Sequence, residues 1–325
     1  MPHDYSKTNF LITGGAGFIG RNIVDHLLKH NAGKVRVLDN LSTGSLKNIE
    51  AFKSHPSFEF IEGDIRDPET CRHGCKNIDI ISHQAALGSV PRSIKDPLTT
   101  HAVNSTGFLN MVVAAHEMGI KRFVYASTSS IYGDSQKLPK IETETGNPLS
   151  PYAVSKKTNE LYTQVFAGIY QMGFIGLRYF NVFGPYQSPD GPYAAVIPLF
   201  MKSVLENSQP YIDGDGKQTR DFSFISNVVQ ANILAMFTTN PDAHNRVYNI
   251  AVGERISINE LFNTIAKIVS SGIQPIYRAA RPGDVRDSLA DISSAKKLLE
   301  YEPSCRVGEG LALTLEWFHK SMIKI

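Results

Sequence analysis

Tyr152 and Lys156 stand four residues apart in Ser150-Pro151-Tyr152-Ala153-Val154-Ser155-Lys156. If that segment is helical, phenol and ammonium share one face, and the chemistry open to them is proton abstraction. A phenol of pKa about 10 is a poor base at neutral pH, but an adjacent ammonium stabilises the phenolate and brings it towards the working range. Such a base can take the proton of an alcohol while hydride leaves the same carbon. Alone, the pair reads more readily as a solvated helix face. Ala126-Ser127-Thr128-Ser129-Ser130-Ile131-Tyr132-Gly133 adds weight, because these hydroxyls follow a strand-like run. In an open α/β sheet, the carboxyl ends of the strands are where ligands bind. Thr128 could hold or relay the alcohol's proton.

A departing hydride needs an acceptor, and the first turn of the chain is built to hold one. Gly15-Ala16-Gly17-Phe18-Ile19-Gly20 lies between the apolar run Phe10-Leu11-Ile12-Thr13 and a segment with helical spacing through Ile19, Ile23, Leu27 and Leu28. Glycines there let the backbone approach a pyrophosphate, and the helix N-terminus offers free N–H groups and partial positive charge. Asp39 ends the second strand candidate, where a carboxylate can accept both hydroxyls of an adenosine ribose. A 2′-phosphate beside it would meet like-charge repulsion, so NAD is preferred over NADP. Asp64, in Gly63-Asp64-Ile65, could reach the adenine edge or cap a helix.

These residues need a scaffold, and the chain spells one out. Val35–Leu38, Phe58–Ile61, Ile78–Ile81, Phe123–Ala126 and Ile175–Tyr179 are further buried-type strands separated by helix-length segments. That alternation predicts a doubly wound parallel sheet covered on both faces, a Rossmann-like α/β fold. After Asn181 the texture turns to Gly184-Pro185, Pro189-Asp190-Gly191-Pro192 and Gly214-Asp215-Gly216, with helical spacing over 227–237 and 258–269. Val247–Ile250 reads as a strand that could rejoin the main sheet. The expected division is a nucleotide-binding domain over 7–181 plus about 226–252, and a smaller C-terminal α/β substrate-binding domain over 182–225 and 253–325.

Composition removes several function classes. The 325 residues carry 33 Lys+Arg against 31 Asp+Glu, a net charge of +2, and 42% are hydrophobic. Near-neutral charge offers no general attraction for nucleic acid or an anionic membrane, so neither partner is expected. Gly and Pro together make up roughly 13%, far below low-complexity composition. Cys71, Cys75 and Cys305 are too few for a disulfide framework, and no neighbouring His or Cys completes a metal set around the first two, which read as ordinary thiols. With no signal-like apolar stretch near the N-terminus, a cytoplasmic protein without a metal is expected.

In order along the chain, GGAGFIG, Asp39-Asn40, Gly63-Asp64, His83-Gln84-Ala85-Ala86, the hydroxyl cluster, Tyr-x-x-x-Lys, Arg178–Pro185 and Arg220-Asp221 resemble the extended short-chain dehydrogenase/reductase family over nearly the whole length. Within it, Leu87-Gly88-Ser89-Val90-Pro91-Arg92-Ser93 is similar to bacterial UDP-N-acetylhexosamine and UDP-N-acetylhexosaminuronate 4-epimerases. The resemblance implies that Thr128, Tyr152 and Lys156 carry catalysis, Lys156 also binding the nicotinamide ribose. It implies NAD contacts from Gly14, Gly17, Phe18, Ile19, Gly20, Asp39, Asn40, Ser42, Thr43, Gly44, Asp64, Ile65, Gln84, Ala85, Ala86, Asn104 and Tyr179. Substrate contacts are implied for Asn181, Ala195, Val196, Tyr211, Arg220, Arg281 and Asp284 around the UDP part. Ser129 and Ser130 would face the sugar, with Gly88 nearby. Ser288 matches a position bordering the sugar's 2-substituent, where a small side chain leaves room for N-acetyl. Ser89 and Arg92 read either as sugar contacts, Arg92 suiting a C6 carboxylate, or as structural loop residues. A homodimer through helices of the sheet domain is also implied.

Related dehydratases place Asp-Glu after the catalytic Thr, and UDP-glucuronate decarboxylases a Glu in the second of those positions; here both are hydroxyls, Ser129 and Ser130. Without that acid pair, elimination lacks its proton donor, and reversible oxidation at C4 of a UDP-sugar remains. UDP-glucose/UDP-galactose epimerisation is the alternative. A decarboxylase, a dehydratase, a dehydrogenase releasing NADH and a non-catalytic NAD-binding regulator rank below it.

Overall fold

The structure is a computed structural model that describes residues 4–191, 193–280 and 286–322. Its centre is a seven-stranded, all-parallel sheet of β1 (Asn9–Thr13), β2 (Lys34–Asp39), β3 (Phe58–Glu62), β4 (Ile80–His83), β5 (Arg122–Thr128), β6 (Gly173–Tyr179) and β11 (Arg246–Ile250). Their order across the sheet is β3-β2-β1-β4-β5-β6-β11. The run at Val247–Ile250 does rejoin the sheet, pairing with β6 in register Tyr248 to Leu177. The remaining strands are short: β7 (Val182–Phe183), β8 (Tyr211–Asp213), β9 (Thr219–Arg220), β10 (Ser223–Phe224), β12 (Ile256–Ser257) and β13 (Ile276–Arg278).

The α-helices are α1 (Phe18–Lys29), α2 (Leu46–Ile49), α3 (Pro68–Cys75), α4 (Val90–Lys95), α5 (Pro97–His101), α6 (Phe108–Glu117), α7 (Pro151–Tyr170), α8 (Val196–Leu205), α9 (Ile225–Phe237), α10 (Ile258–Ile268), α11 (Ser293–Leu299) and α12 (Val307–Met322). Their placement follows from the pleat of the strands, whose side chains alternate between faces. Phe10, Ile12, Val35, Val37, Val124 and Ile175 enter one buried cluster with Ile23, Leu27 and Val228 of α1 and α9. Leu11, Leu38, Ile81, Phe123, Tyr125 and Phe174 enter the other with Cys71, Phe108 and Met111 of α3 and α6. The first cluster continues through Ile197, Phe200, Phe262 and Leu311 of α8, α10 and α12, so these helices share one core with the sheet. Cys71, Cys75 and Cys305 are free and buried, and burial pushes the first two thiols up to about 12. Among the described residues, no helix is long and apolar enough to cross a membrane.

Candidate active site

The glycine turn is shaped by close approach. Gly14 has φ +69°, donates its N–H to Leu38 O at 2.9 Å, and leaves no room for a side chain, since a Cβ would lie 2.7 Å from Ala85 N. A Cβ on Gly20 would run into the Gly14 carbonyl oxygen and lie 2.8 Å from Gly15 Cα. Gly17 is the N-cap of α1, whose first N–H groups face the carboxyl edge of the sheet. The fit to a dinucleotide rests on this cradle: a backbone-lined turn and a helix N-terminus opening on one cavity of about 470 Å³.

Gly14, Gly17, Phe18, Ile19, Gly20, Asp39, Asn40, Ser42, Thr43, Asp64, Ile65, Gln84, Ala85 and Ala86 all line that cavity. Asp39 is buried at the end of β2, accepting from Ala16 N at 2.9 Å and Leu41 N at 2.8 Å. Burial raises its carboxyl, and the two N–H bonds oppose that rise. Asp64 does not cap α3; Asp67 does, accepting from Glu69 N and Thr70 N. Asp64 instead takes Asn40 Nδ2 at 2.9 Å and Arg66 Nη2 at 2.7 Å, and Arg66 holds its carboxyl down at about 2. A carboxylate is thereby fixed at the cavity wall.

Three of the expected cofactor residues are not among those lining this cavity. Gly44 lets its loop close on Ala16, 2.9 Å from the position a Cβ would take. Asn104, buried in a π-helical turn over Ala102–Gly107, accepts from Leu87 N at 2.8 Å and donates to Ser155 Oγ at 3.1 Å. Tyr179 donates to Gln84 Oε1 at 3.1 Å and accepts from Asn232 Nδ2 at 2.8 Å. Asn232 was missed from the sequence; α9 also carries Ser226, Asn227 and Gln230, so a polar residue there did not stand out.

α7 begins as its sequence demands, with Ser150 Oγ accepting from Ala153 N at 3.2 Å and Pro151 in the first turn. Tyr152 and Lys156 therefore share a face, opposite Thr128 at the end of β5. None of the three lines the first cavity, and Asn104 ties the Leu87 wall to Ser155, between Tyr152 and Lys156 in sequence. Lys156 is buried and donates Nζ to Ala126 O at 2.9 Å; burial lowers it to about 8. The expectation that Lys156 draws the phenol down is not met in this arrangement. Desolvation raises Tyr152, and only its hydrogen bond with Thr128 opposes the rise. Thr128 Oγ1 donates to Ser130 Oγ at 3.2 Å and accepts from Ser130 N at 3.1 Å. Beneath the pair, Glu160 and Arg178, each 2% exposed, form a two-pronged ion pair at 2.9 and 2.8 Å, and Ser127 Oγ donates to Glu160 at 2.6 Å. Glu160 follows Lys156 by four residues on the same helix face, the spacing that could have marked it.

A second cavity of about 470 Å³, sharing Gln187, Ala194 and Ala195 with the first, is lined by Asn181, Ala195, Val196, Tyr211 and Arg220 of the expected substrate residues. Asn181 Nδ2 donates to Asp221 O at 2.8 Å, and Arg220 Nη1 to the carbonyls of Thr219 and Arg286 at 2.9 Å. Sequence reasoning missed Arg278, which stacks over Tyr211 with its carbon 5.0 Å from the ring centre and pairs with Asp213. Gly88 and Arg92 line the first cavity instead. Ser89 caps α4, accepting from Arg92 N at 3.2 Å. Ser129 and Ser130 follow Thr128, outside both linings; Ser288 is buried beside Arg220, its N–H on Thr219 O at 3.1 Å. Arg281 and Asp284 lie outside the described residues. Asp221, buried, accepts from Val252 N and Gly253 N at 3.1 Å and Ala290 N at 3.3 Å, joining the turn after β9 to the chain after β11 and to Ala290.

With this geometry in hand, similarity to known proteins is informative. A putative UDP-glucose 4-epimerase of Methanocaldococcus jannaschii is 37% identical over 309 residues, covering 94% of this chain and 97% of the relative. The solved UDP-N-acetylglucosamine 4-epimerase of Methanobrevibacter ruminantium, in complex with UDP-N-acetylmuramic acid, superposes with a TM-score of 0.92 at 38% identity, covering 97% of this chain and 99% of that one. A UDP-glucuronic acid 4-epimerase mutant of Bacillus cereus, solved with NAD and a fluorinated UDP-glucuronic acid, gives 0.90 at 30% identity, covering 97% and 100%. Residues 10–251, which contain the glycine cradle, Thr128, Tyr152 and Lys156, match the sequence profile of the NAD dependent epimerase/dehydratase family. The chain belongs to that family, and NAD is its cofactor.

Proposed function

We propose that the protein interconverts the C4 epimers of a UDP-N-acetylhexosamine or of its uronate: UDP-GlcNAc and UDP-GalNAc, or UDP-GlcNAcA and UDP-GalNAcA. The observation that carries the reading is the convergence of Thr128, Tyr152 and Lys156 at the end of β5, with hydroxyls at Ser129 and Ser130 and no acid there to expel a leaving group. Bound NAD supplies the hydride acceptor. Tyr152 takes the C4 hydroxyl proton, with Thr128 holding the oxygen, and gives it back when hydride returns to the other face. Lys156, buried one turn away, supplies positive charge next to the forming phenolate once a sugar hydroxyl orders the site. Arg220 and Asn181 anchor UDP while the 4-keto sugar turns. Arg suits this because its fork meets diphosphate oxygens in pairs. Ser288, small and beside Arg220, supports room for an N-acetyl group.

A homodimer accompanies this reading. Val154, Leu161, Val165 and Ile169 stand 52% to 64% exposed along α7, near Leu98 of α5 at 82%. An apolar stripe of that length is what an obligate helical interface covers.

The test is purified protein without added NAD, incubated with UDP-GlcNAc, UDP-GlcNAcA or UDP-Glc and followed by NMR. The C4 epimer should form fastest from an N-acetylated sugar and carry no deuterium at C4 after many turnovers in heavy water. If all three sugars stay inert, or solvent deuterium enters C4, the reading is wrong; preference for UDP-Glc would move the substrate and keep the reaction.

A further inference from the structure

Gly184-Pro185-Tyr186-Gln187 make a tight turn after β7, closed by the Gln187 N–H on Gly184 O at 3.3 Å and by Gln187 Nε2 on Val182 O at 3.0 Å. Proline in the second position and a φ of +71° in the third are the pattern of a type II turn, whose third position favours glycine. Tyr186 stands there instead. A side chain in that conformation is strained, and such strain persists only where surrounding contacts fix it. Here they come largely from α1. The Tyr186 ring centre lies 3.5 Å from the Arg21 guanidinium carbon, and Asn22 Nδ2 donates to Pro185 O at 3.3 Å. Arg21, only 6% exposed, also lies over Phe52 at 5.0 Å and donates Nε to Asn48 O at 3.3 Å. From α12, Trp317 meets the Tyr186 ring at 4.9 Å between centres. The backbone of Arg21 belongs to the cofactor cradle, since it follows Gly20 and its N–H donates to Gly17 O at 3.0 Å. Gln187, next after Tyr186, lines both cavities. One buried cation therefore joins the helix that begins at the cradle to the turn that supplies the wall between the cavities.

We propose that Arg21 is a positioning residue: its guanidinium holds Tyr186 in the strained turn and so fixes Gln187 in the wall that the cofactor and substrate cavities share. The consequence for substrate rests on the epimerase reading. Hydride passes only where sugar C4 and nicotinamide meet, and the place where the two cavities join is where they can. UDP is anchored by Arg220, which lines the second cavity alone, so the brace acts on the sugar rather than on UDP. Without the cation the strained turn loses its main support, the competent wall is present in fewer molecules, and apparent affinity falls in proportion. A cation–π contact taken out of water corresponds to about a five- to thirtyfold shift in such an equilibrium.

The experiment compares wild type, Arg21→Met, Tyr186→Gly and Tyr186→Phe as NAD-loaded protein. Titration calorimetry reads the affinity for UDP and for whichever of UDP-GlcNAc, UDP-GlcNAcA and UDP-Glc wild type binds most tightly. The UDP-sugar should bind about five- to thirtyfold more weakly to Arg21→Met and Tyr186→Gly and as in wild type to Tyr186→Phe, which keeps the ring face. UDP itself should bind all four proteins alike, and NAD content should be unchanged. Glycine suits this turn better than tyrosine does, so a turn with no task beyond its own geometry would tolerate Tyr186→Gly without loss. Unchanged UDP-sugar affinity in Tyr186→Gly, equal loss in Tyr186→Phe, or equal loss for UDP overturns the assignment. Should Arg21→Met fail to fold, the two Tyr186 variants decide alone. If the affinities come out as expected but wild type forms no C4 epimer, the brace stands and the epimerase reading falls.

Discussion

Replacing Glu160 with Gln removes one charge from a site where its partner has nowhere to go. Glu160 and Arg178 are each 2% exposed, and the guanidinium spends Nε and Nη2 on the carboxylate and Nη1 on Tyr132 Oη and Glu142 O at 3.0 Å. The paired carboxylate holds the Arg178 pKa above its ordinary value despite burial. Lys157, 3.9 Å from the same carboxylate, would become a second unopposed positive charge, but it is one third exposed and screened. Breaking a buried pair by neutralising one partner costs about 3 to 5 kcal/mol, since the remaining charge stays desolvated. At about 2.1 cal/mol/K of unfolding entropy per residue, a chain this long should lose about 4 to 7 °C of Tm. Calorimetry at fixed pH and NAD concentration reads that shift. Glu160→Gln with Arg178→Met should lose less than the sum of the single variants. Because Ser127 and Glu160 tie α7 to β5, kcat should fall with KM little changed. A shift below about 2 °C, or strict additivity in the double variant, would show that this pair does not hold the catalytic helix.

Other expectations address the site directly. Tyr152→Phe should lower kcat by about 10²- to 10⁴-fold with NAD still bound, measured by turnover and by cofactor content after desalting; unchanged turnover would reassign the base. Gly20→Ala should abolish NAD retention, because the new Cβ meets the Gly14 carbonyl; a variant that keeps cofactor at wild-type occupancy contradicts the cradle. Lys156 should titrate near pH 8 in ligand-free protein, a signal that labelled-lysine NMR would show and Lys156→Met would lose. Since its folded pKa lies below the unfolded 10.5, the unfolded chain binds more protons between those values. Its contribution to stability is therefore present above about pH 10.5 and lost as pH falls through about 8. No lysine titrating below about pH 9 would count against its burial.

How much could be read in advance varied with the range of the interaction. The seven sheet strands were legible because strands buried on both faces must be apolar almost throughout. The start of α7 was legible because Ser150 and Pro151 act within one turn. Asp64 was open between two local readings, and the structure placed the cap three residues on, at Asp67. Asn104, Tyr179 and Gly44 were expected at the cofactor and do not line the first cavity. Their partners, Ser155, Asn232 and Ala16, are 51, 53 and 28 positions away.

By itself the amino-acid sequence determined the parallel sheet, the glycine cradle with Asp39, the helical pairing of Tyr152 with Lys156 and the hydroxyls after Thr128. Each of these follows from backbone sterics or periodicity within a few residues. Tertiary structure alone decided that Glu160 of the catalytic helix pairs with Arg178 of β6, that burial raises the Tyr152 phenol and lowers Lys156, and that Tyr193 meets Arg92. Desolvation and long-range pairing depend on which surfaces are brought together, and local sequence spacing carries no record of that.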